Sequence, residues 1–410
     1  MALQIVWFCF FVVAFIVALV QFVFFQNYDI FKTITDGMFE AAKSAVLDVG
    51  LPLAGTIIFF LGLMNIAEKS GLVQILARLI QPFMSKLFPQ VPSQHPAMGL
   101  MVMNFSANLL GLDNAATPFG LKAMQSLQEL NPKKEVASNA QIMFMVLHTS
   151  GLTLVPLTII SYRIAAGSNN ATSIFIPCIL ATLATTVFSI LVVSFYQKLY
   201  KDRIIWLWIF VLMAVFAVFI VIVNSLSPQG KELLSKVGGN ILLWVIIIGI
   251  IMYGFIKKQP IFDHFIDGAK NGLDVVFKII PYLVAMLVGI RVFRDSGSFQ
   301  YLTDFFITII QGVGLPTDFV PSLPVAIMKP FSGSGSRGLL LDLYKTHGVD
   351  SFVSNVASIF QGSADTTFYI IALYFGSVGI KKIRYALWAG LLADFMGVIF
   401  AIFIGYLFFA

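Results

Sequence analysis

Charge is what this chain has least of. Only 11% of its 410 residues are Asp, Glu, Lys or Arg, against about a quarter in a soluble domain, which excludes a surface solvated by water on every side. Cysteine is nearly absent. Cys9 and Cys178 both sit inside apolar runs, which excludes a disulfide framework or a thiolate metal site. The four histidines, His95, His148, His264 and His347, have no metal-ligand spacing. HExxH, GxSxG and the GxxxxGK[ST] phosphate loop are all missing. No nucleophile–base constellation stands out, so neither an enzyme nor a resident metal or cofactor is expected.

Apolar residues are what the chain has in excess. They make up 59% of it, with 41 Phe. Runs at 3–25, 174–195, 204–223, 241–256 and 383–409 match the roughly 20 apolar residues that cross a bilayer. The expected fold is an all-α polytopic membrane protein. Residues 3–25 have no basic lead and no small-x-small cleavage site, so they read as a retained span and not a signal peptide. The net charge of +6 then reflects basic cytoplasmic loops, with no nucleic-acid partner.

The chain also repeats itself. "EKSG" (68–71) matches "RDSG" (294–297), and "EAAKSA" (40–45) resembles "DGAKNG" (267–272), at an offset of 226 to 227. At that offset "NFSANL" (104–109) falls on "PFSGSG" (330–335), while "SNAQIMF" (138–144) meets "SNVASIF" (354–360) at 216. Each unit reads as a span, an amphipathic helix, a second span, another amphipathic segment, an interrupted polar stretch and two closing spans. This divides the chain into units at 1–200 and 237–410, joined by a linker helix and loop at 201–236.

Basic residues set the orientation. Lys198, Lys201 and Arg203, then Lys257 and Lys258, then Lys381, Lys382 and Arg384 mark three loops as cytoplasmic, and Lys133–Lys134 falls on the same side. Counted this way, the two polar stretches enter from opposite faces. Inverted repeats with interrupted helices or re-entrant hairpins near the midplane are the architecture of secondary transporters.

The first polar stretch, "MNFSANLLGLDNAATPFGLKAM" (103–124), holds Asn104, Ser106, Asn108, Asp113 and Asn114. Irregular backbone at membrane depth persists only where protein or a watery cavity covers it. Asp113 is a candidate for a coupling cation or proton; the alternative is an interfacial Asp-Asn turn. The second stretch, "KPFSGSGSRG" (329–338), places Lys329, Ser332, Ser334, Ser336 and Arg337 before an apolar helical run, where amide groups at a helix start favour an anion. The partner spans carry "HTSGLT" (148–153) and "QGSADTT" (361–367). Gln361 and Thr366 join the solute-binding candidates, and Asp365 and His148 join the proton or ion candidates. Through the aligned "SN" pairs His148 falls on Ala364. Asp394, alone in the last span, either joins a relay or bonds an interhelical hydroxyl.

At these motifs the sequence resembles a known family. "NLLGLDNAATPFGLKAM" (108–124) is similar to the hallmark of spore maturation protein A, and "KPFSGSGSRG" with "QGSADTTFYIIALYFGSVGIKK" (361–382) to those of spore maturation protein B. The chain looks like a fusion of the two, within the nucleoside recognition (Gate) domain group. The resemblance implies a multi-pass protein of the bacterial cytoplasmic (inner) membrane that transports a small polar or anionic organic solute, nucleoside-like by analogy. A coupling sodium ion or proton and alternating access complete the expectation. The group's iron-transport branch fits poorly, since neither cysteine lies in an interrupted segment. Expected partners are the bilayer, the solute and at most a second copy of the chain. The competing reading is a non-transport assembly or lipid-handling protein of the envelope, which predicts no enclosed cavity.

Overall fold

Backbone amides find no water inside a bilayer, so an apolar chain satisfies them within helices. The computed structural model describes residues 2–111, 113–199, 203–312 and 314–410. Among them the chain is all-helical, with one isolated bridge, Val136 to Lys382, and no named strand. Six helical stretches are long and apolar enough to span a membrane: Trp7–Phe24, Ile30–Lys69, Ala171–Gln197, Ile205–Val223, Gly239–Ile256 and Ala386–Phe409. Their outer faces expose Phe15, Phe24, Phe210, Trp244 and Phe403, surfaces suited to lipid and not to water. This is a polytopic α-helical membrane protein.

The first unit runs α1 (Ala2–Phe24), α2 (Ile30–Lys69), α3 (Leu72–Leu87), α4 (Pro96–Leu109), α5 (Asp113–Leu130), α6 (Asn139–Thr149), α7 (Leu157–Ala165) and α8 (Phe175–Gln197). The unmatched helix α9 (Arg203–Ser225) follows. The second unit then repeats the order: α10 (Gly239–Ile256), α11 (Ile261–Asp295), α12 (Ser298–Gly312), α13 (Leu323–Met328), α14 (Gly333–His347), α15 (Phe352–Gly362), α16 (Thr367–Ser377) and α17 (Ala386–Phe409). What reads in sequence as an amphipathic helix followed by a span is one continuous helix in both units, α2 and α11. A π-helical turn, Ala45–Gly50, lies in α2 just before Pro52. A widened turn is where a helix absorbs a residue that cannot donate to the carbonyl four back.

The matched tetrapeptides have a structural job. Both long helices end in Ser and then a glycine of positive φ, Gly71 at 87° and Gly297 at 79°. That left-handed step, which a Cβ would penalise, closes a helix C-terminus. Two other alignments shift. Ser138 and Ser351 are the side-chain N-caps of α6 and α15, so the units are offset there by 213 and not 216, and His148 is equivalent to Gln361. "NFSANL" closes the first arm of its hairpin, α4, whereas "PFSGSG" forms the tip of the second hairpin and opens α14. Those two stretches are not equivalent; chance likeness of short Phe-Ser strings aligned them.

Equivalent helices pack antiparallel. Gly37 lies against Arg291 and Asp295, Gly50 against Ile280, and Gly62 against Phe265, so numbering falls on α11 as it rises on α2. Likewise Tyr196 stacks on Tyr385 while Gly397 receives Thr185, which sets α8 against α17. Two reciprocal clasps tie the broken helices at their ends. Arg163, fully buried, donates to Asp350 Oδ1 (2.7 Å), Asn355 Oδ1 (2.8 Å) and Val349 O (3.1 Å) at the start of α15. Arg384 donates to Ala137 O (3.1 Å) and Asn139 Oδ1 (2.9 Å) at the start of α6, beside an exposed Lys381–Glu135 pair. Lys201 lies outside the described residues.

Candidate functional site

Both closing spans that the polar strings interrupt are broken: α6 stops at Thr149 before α7 starts at Leu157, and α15 stops at Gly362 before α16 starts at Thr367. A break frees amides that must find partners. Each unit answers in the same way, with a carbonyl from its own hairpin. Leu154 N donates to Leu109 O at the end of α4 (2.8 Å), and Phe368 N to Pro330 O at the tip before α14 (3.1 Å). The two breaks also meet. Asp365 N donates to Thr149 O (2.8 Å), and Gly151 packs on Ala364.

A cavity of about 120 Å³ opens where they meet, lined by Asn108, His148, Thr153, Lys329, Arg337, Gln361 and Asp365 among others. His148, 4% exposed, meets partners on both sides of its ring. Its Nε2 faces Asp365 Oδ2 at 3.5 Å. Its Nδ1 lies near Asn104 Oδ1 (3.2 Å), Asn108 Nδ2 (3.0 Å) and the Tyr374 hydroxyl (3.0 Å). A neutral ring with hydrogen on Nε2 accepts at Nδ1 from Asn108 or Tyr374. A protonated ring donates at Nδ1 to Asn104 or to the Tyr374 oxygen. The surroundings therefore offer partners to both forms of the ring.

The equivalent position in the other unit is neutral. Gln361 accepts from the buried Ser336 hydroxyl at Oε1 (2.5 Å), and its backbone carbonyl accepts from Lys329 Nζ (2.9 Å). Asn104 and Ser336 thus stand one layer behind the lining, each orienting a side chain in front of it. Ser106 lies outside the lining, its hydroxyl donating to Val102 O in its own helix. Ser332 caps α14 by accepting from Gly335 N, with Ser334 3.2 Å away. Thr366 precedes α16, and its amide donates to Asp365 Oδ1 (2.7 Å). The backbones of Asp113 and Asn114 open α5, but their side chains lie outside the described residues. Tyr374 was not legible as a site residue, being one aromatic in an apolar run; Thr153 lay within a quoted string but was not singled out.

Gly120 on α5 holds Tyr374 in place. A Cβ there would overlap the tyrosine hydroxyl and come within 3.0 Å of Asn104 Nδ2. Gly120→Ala is expected to cost about 1–3 kcal/mol through overpacking. Gly99→Ala, where a Cβ meets nothing within 4 Å, should be neutral or slightly stabilising. Thermal unfolding of the two variants side by side checks this.

The sequence matches known proteins at this architecture. The Gate family model, described as nucleoside recognition, matches residues 51–166. The chain is 46% identical over 160 residues to spore maturation protein B of Bacillus subtilis (strain 168), covering 39% of this chain and 88% of that protein. It is 42% identical over 174 residues to spore maturation protein A of the same organism, covering 42% of this chain and 88% of that one. The chain belongs to the spore maturation protein family. Likeness to both A and B accords with the repeated order of helices, and the Gate match covers α2 to α7 of the first unit. No solved structure matches the chain.

Proposed function

We propose that this family member is an ion-coupled secondary transporter of a small polar or anionic solute, working by alternating access in the bacterial cytoplasmic membrane. One observation carries the reading: two helix breaks, one from each repeat, meet at a cavity that both repeats line. Irregular backbone at membrane depth is kept where it borders a solute path. The antiparallel packing of α2 on α11 and α8 on α17 supports an inverted relation between the units. A non-transport assembly role gives no reason for a polar cavity at the meeting of the two breaks.

Lys329 and Arg337 bring two positive charges to the lining, where Asp365 is the one carboxylate among the described residues, a set that suits an anionic group. The Gate description favours a nucleoside-like solute. The cavity is below the roughly 300–1,000 Å³ of a typical small-molecule site, so a solute of that size requires the hairpins α4–α5 and α13–α14 to move apart. In this reading the conformation at hand is the closed one. His148 with Asp365 carries the coupling proton.

Uptake into proteoliposomes of a panel of nucleosides and small organic anions tests this. Lys329→Ala and Arg337→Ala are each expected to weaken uptake of the anionic solutes by about tenfold, about 1.4 kcal/mol, and to spare neutral ones. Uptake unchanged in both variants for every solute in the panel would remove these residues from the binding site.

A further inference from the structure

We infer that Asp394 and Thr367 form a binding site for a sodium-sized monovalent cation, apart from the His148–Asp365 pair. Asp394 lies in α17, 7% exposed, and Thr367 opens α16, fully buried. Thr367 packs its methyl on Gly390, one helical turn before Asp394, and adjoins the Asp394 carboxyl. Asp394 Oδ2 and Thr367 Oγ1 are both buried and lie beside each other, and among the described residues neither reaches a well-formed hydrogen bond. Two neighbouring oxygens left unpaired at membrane depth are costly. A small cation between them answers both.

The donor set selects the ion. Carboxylate and hydroxyl oxygens are hard ligands, suited to alkali and alkaline-earth cations. Among the described residues no group of three or more His, Cys, Asp or Glu side chains could hold a metal, and one carboxylate balances one positive charge. That points to a monovalent ion. The helix packed behind has the same chemistry: on α8, Thr182, Thr185 and Ser189 donate to carbonyls of their own helix. Of these, Thr185 reaches Gly397 on the next turn of α17. The charged groups that act on Asp394 are Lys329 and Asp365, of opposite sign, so together they leave its charge to be balanced.

Binding is measurable without transport, so this site stands or falls independently of the solute. The full chain in detergent is unfolded thermally in NaCl, KCl or choline chloride at equal ionic strength and fixed pH. Sodium is expected to raise the unfolding midpoint in a saturable way, beyond potassium and choline. Asp394→Asn and Thr367→Val should each raise the half-saturating sodium concentration by about tenfold or more, whereas Thr367→Ser, which keeps the hydroxyl, should retain the response. An identical sodium response in Asp394→Asn overturns the site, as does an equal effect of choline. If wild type shows a midpoint that depends on pH and not on sodium, the pair holds a proton and the proposal fails.

Discussion

Asp365→Asn is expected to cut proton-driven uptake in proteoliposomes by about tenfold or more while leaving the protein folded. The amide keeps the shape of the carboxylate, and its oxygen can still accept from Thr366 N, the 2.7 Å bond that settles the turn. The side chain is 46% exposed and lines the cavity, so no buried packing is lost. What disappears is the negative charge opposite His148 Nε2. Without that counter-charge a protonated imidazole loses its ion-pair partner, and the proposed coupling step loses its basis. A fall in pH-gradient-driven uptake of about tenfold or more, equal to about 1.4 kcal/mol in the barrier, is expected. Exchange of labelled solute across equal pH should fall less. Proton-driven uptake at the wild-type level in a folded Asp365→Asn protein would remove His148–Asp365 from the coupling step.

The largest effect on stability is expected from Arg163→Ala. This guanidinium is fully buried and joins the end of α7 in the first unit to the start of α15 in the second. Removing it leaves the Asn355 side chain and Val349 O short of a donor, a loss of about 2–4 kcal/mol for two unsatisfied acceptors, while Asp350, 35% exposed and still held by Ser168 and Asn169, adds little. Arg163→Lys should recover part of this, since one ammonium cannot reproduce a fork that holds several acceptors. Arg384→Ala, at the reciprocal clasp, should cost at most about 1 kcal/mol because Arg384 is itself exposed and water competes for its hydrogen bonds. Thermal unfolding of the three variants measures the difference. Equal losses at Arg163 and Arg384 would mean that the two ends are held alike.

Much of this organisation was legible because repeats leave marks. The Ser-Gly ends of "EKSG" and "RDSG" mark the left-handed glycine closures of α2 and α11, a backbone requirement that few other residues satisfy. The polar strings in otherwise apolar spans marked the two breaks, since hydroxyl, amide and carboxylate groups are not tolerated at membrane depth without a structural or solute partner. Register was less legible. The Ser-Asn pairs aligned by letter, but the serine that caps each helix is Ser138 in one unit and Ser351 in the other, and a cap depends on backbone geometry. Arg163 and Tyr374 carried no local signal at all. The partners that tie them to the other unit are more than 180 residues away, and distance along the chain hides them.

By itself, then, the sequence determined the solvent, the helical class and the repeated order of elements. Hydrocarbon leaves backbone amides no alternative to helices, and polar interruptions stand out against an apolar ground. Only the tertiary structure decided which groups meet. It set the two breaks against each other, placed Asp365 opposite His148, and left Asp394 beside Thr367 with an oxygen of each unpaired. Those juxtapositions depend on antiparallel packing between distant helices, and charge and hydrogen bonding act over a few ångströms of space, whatever the separation in sequence.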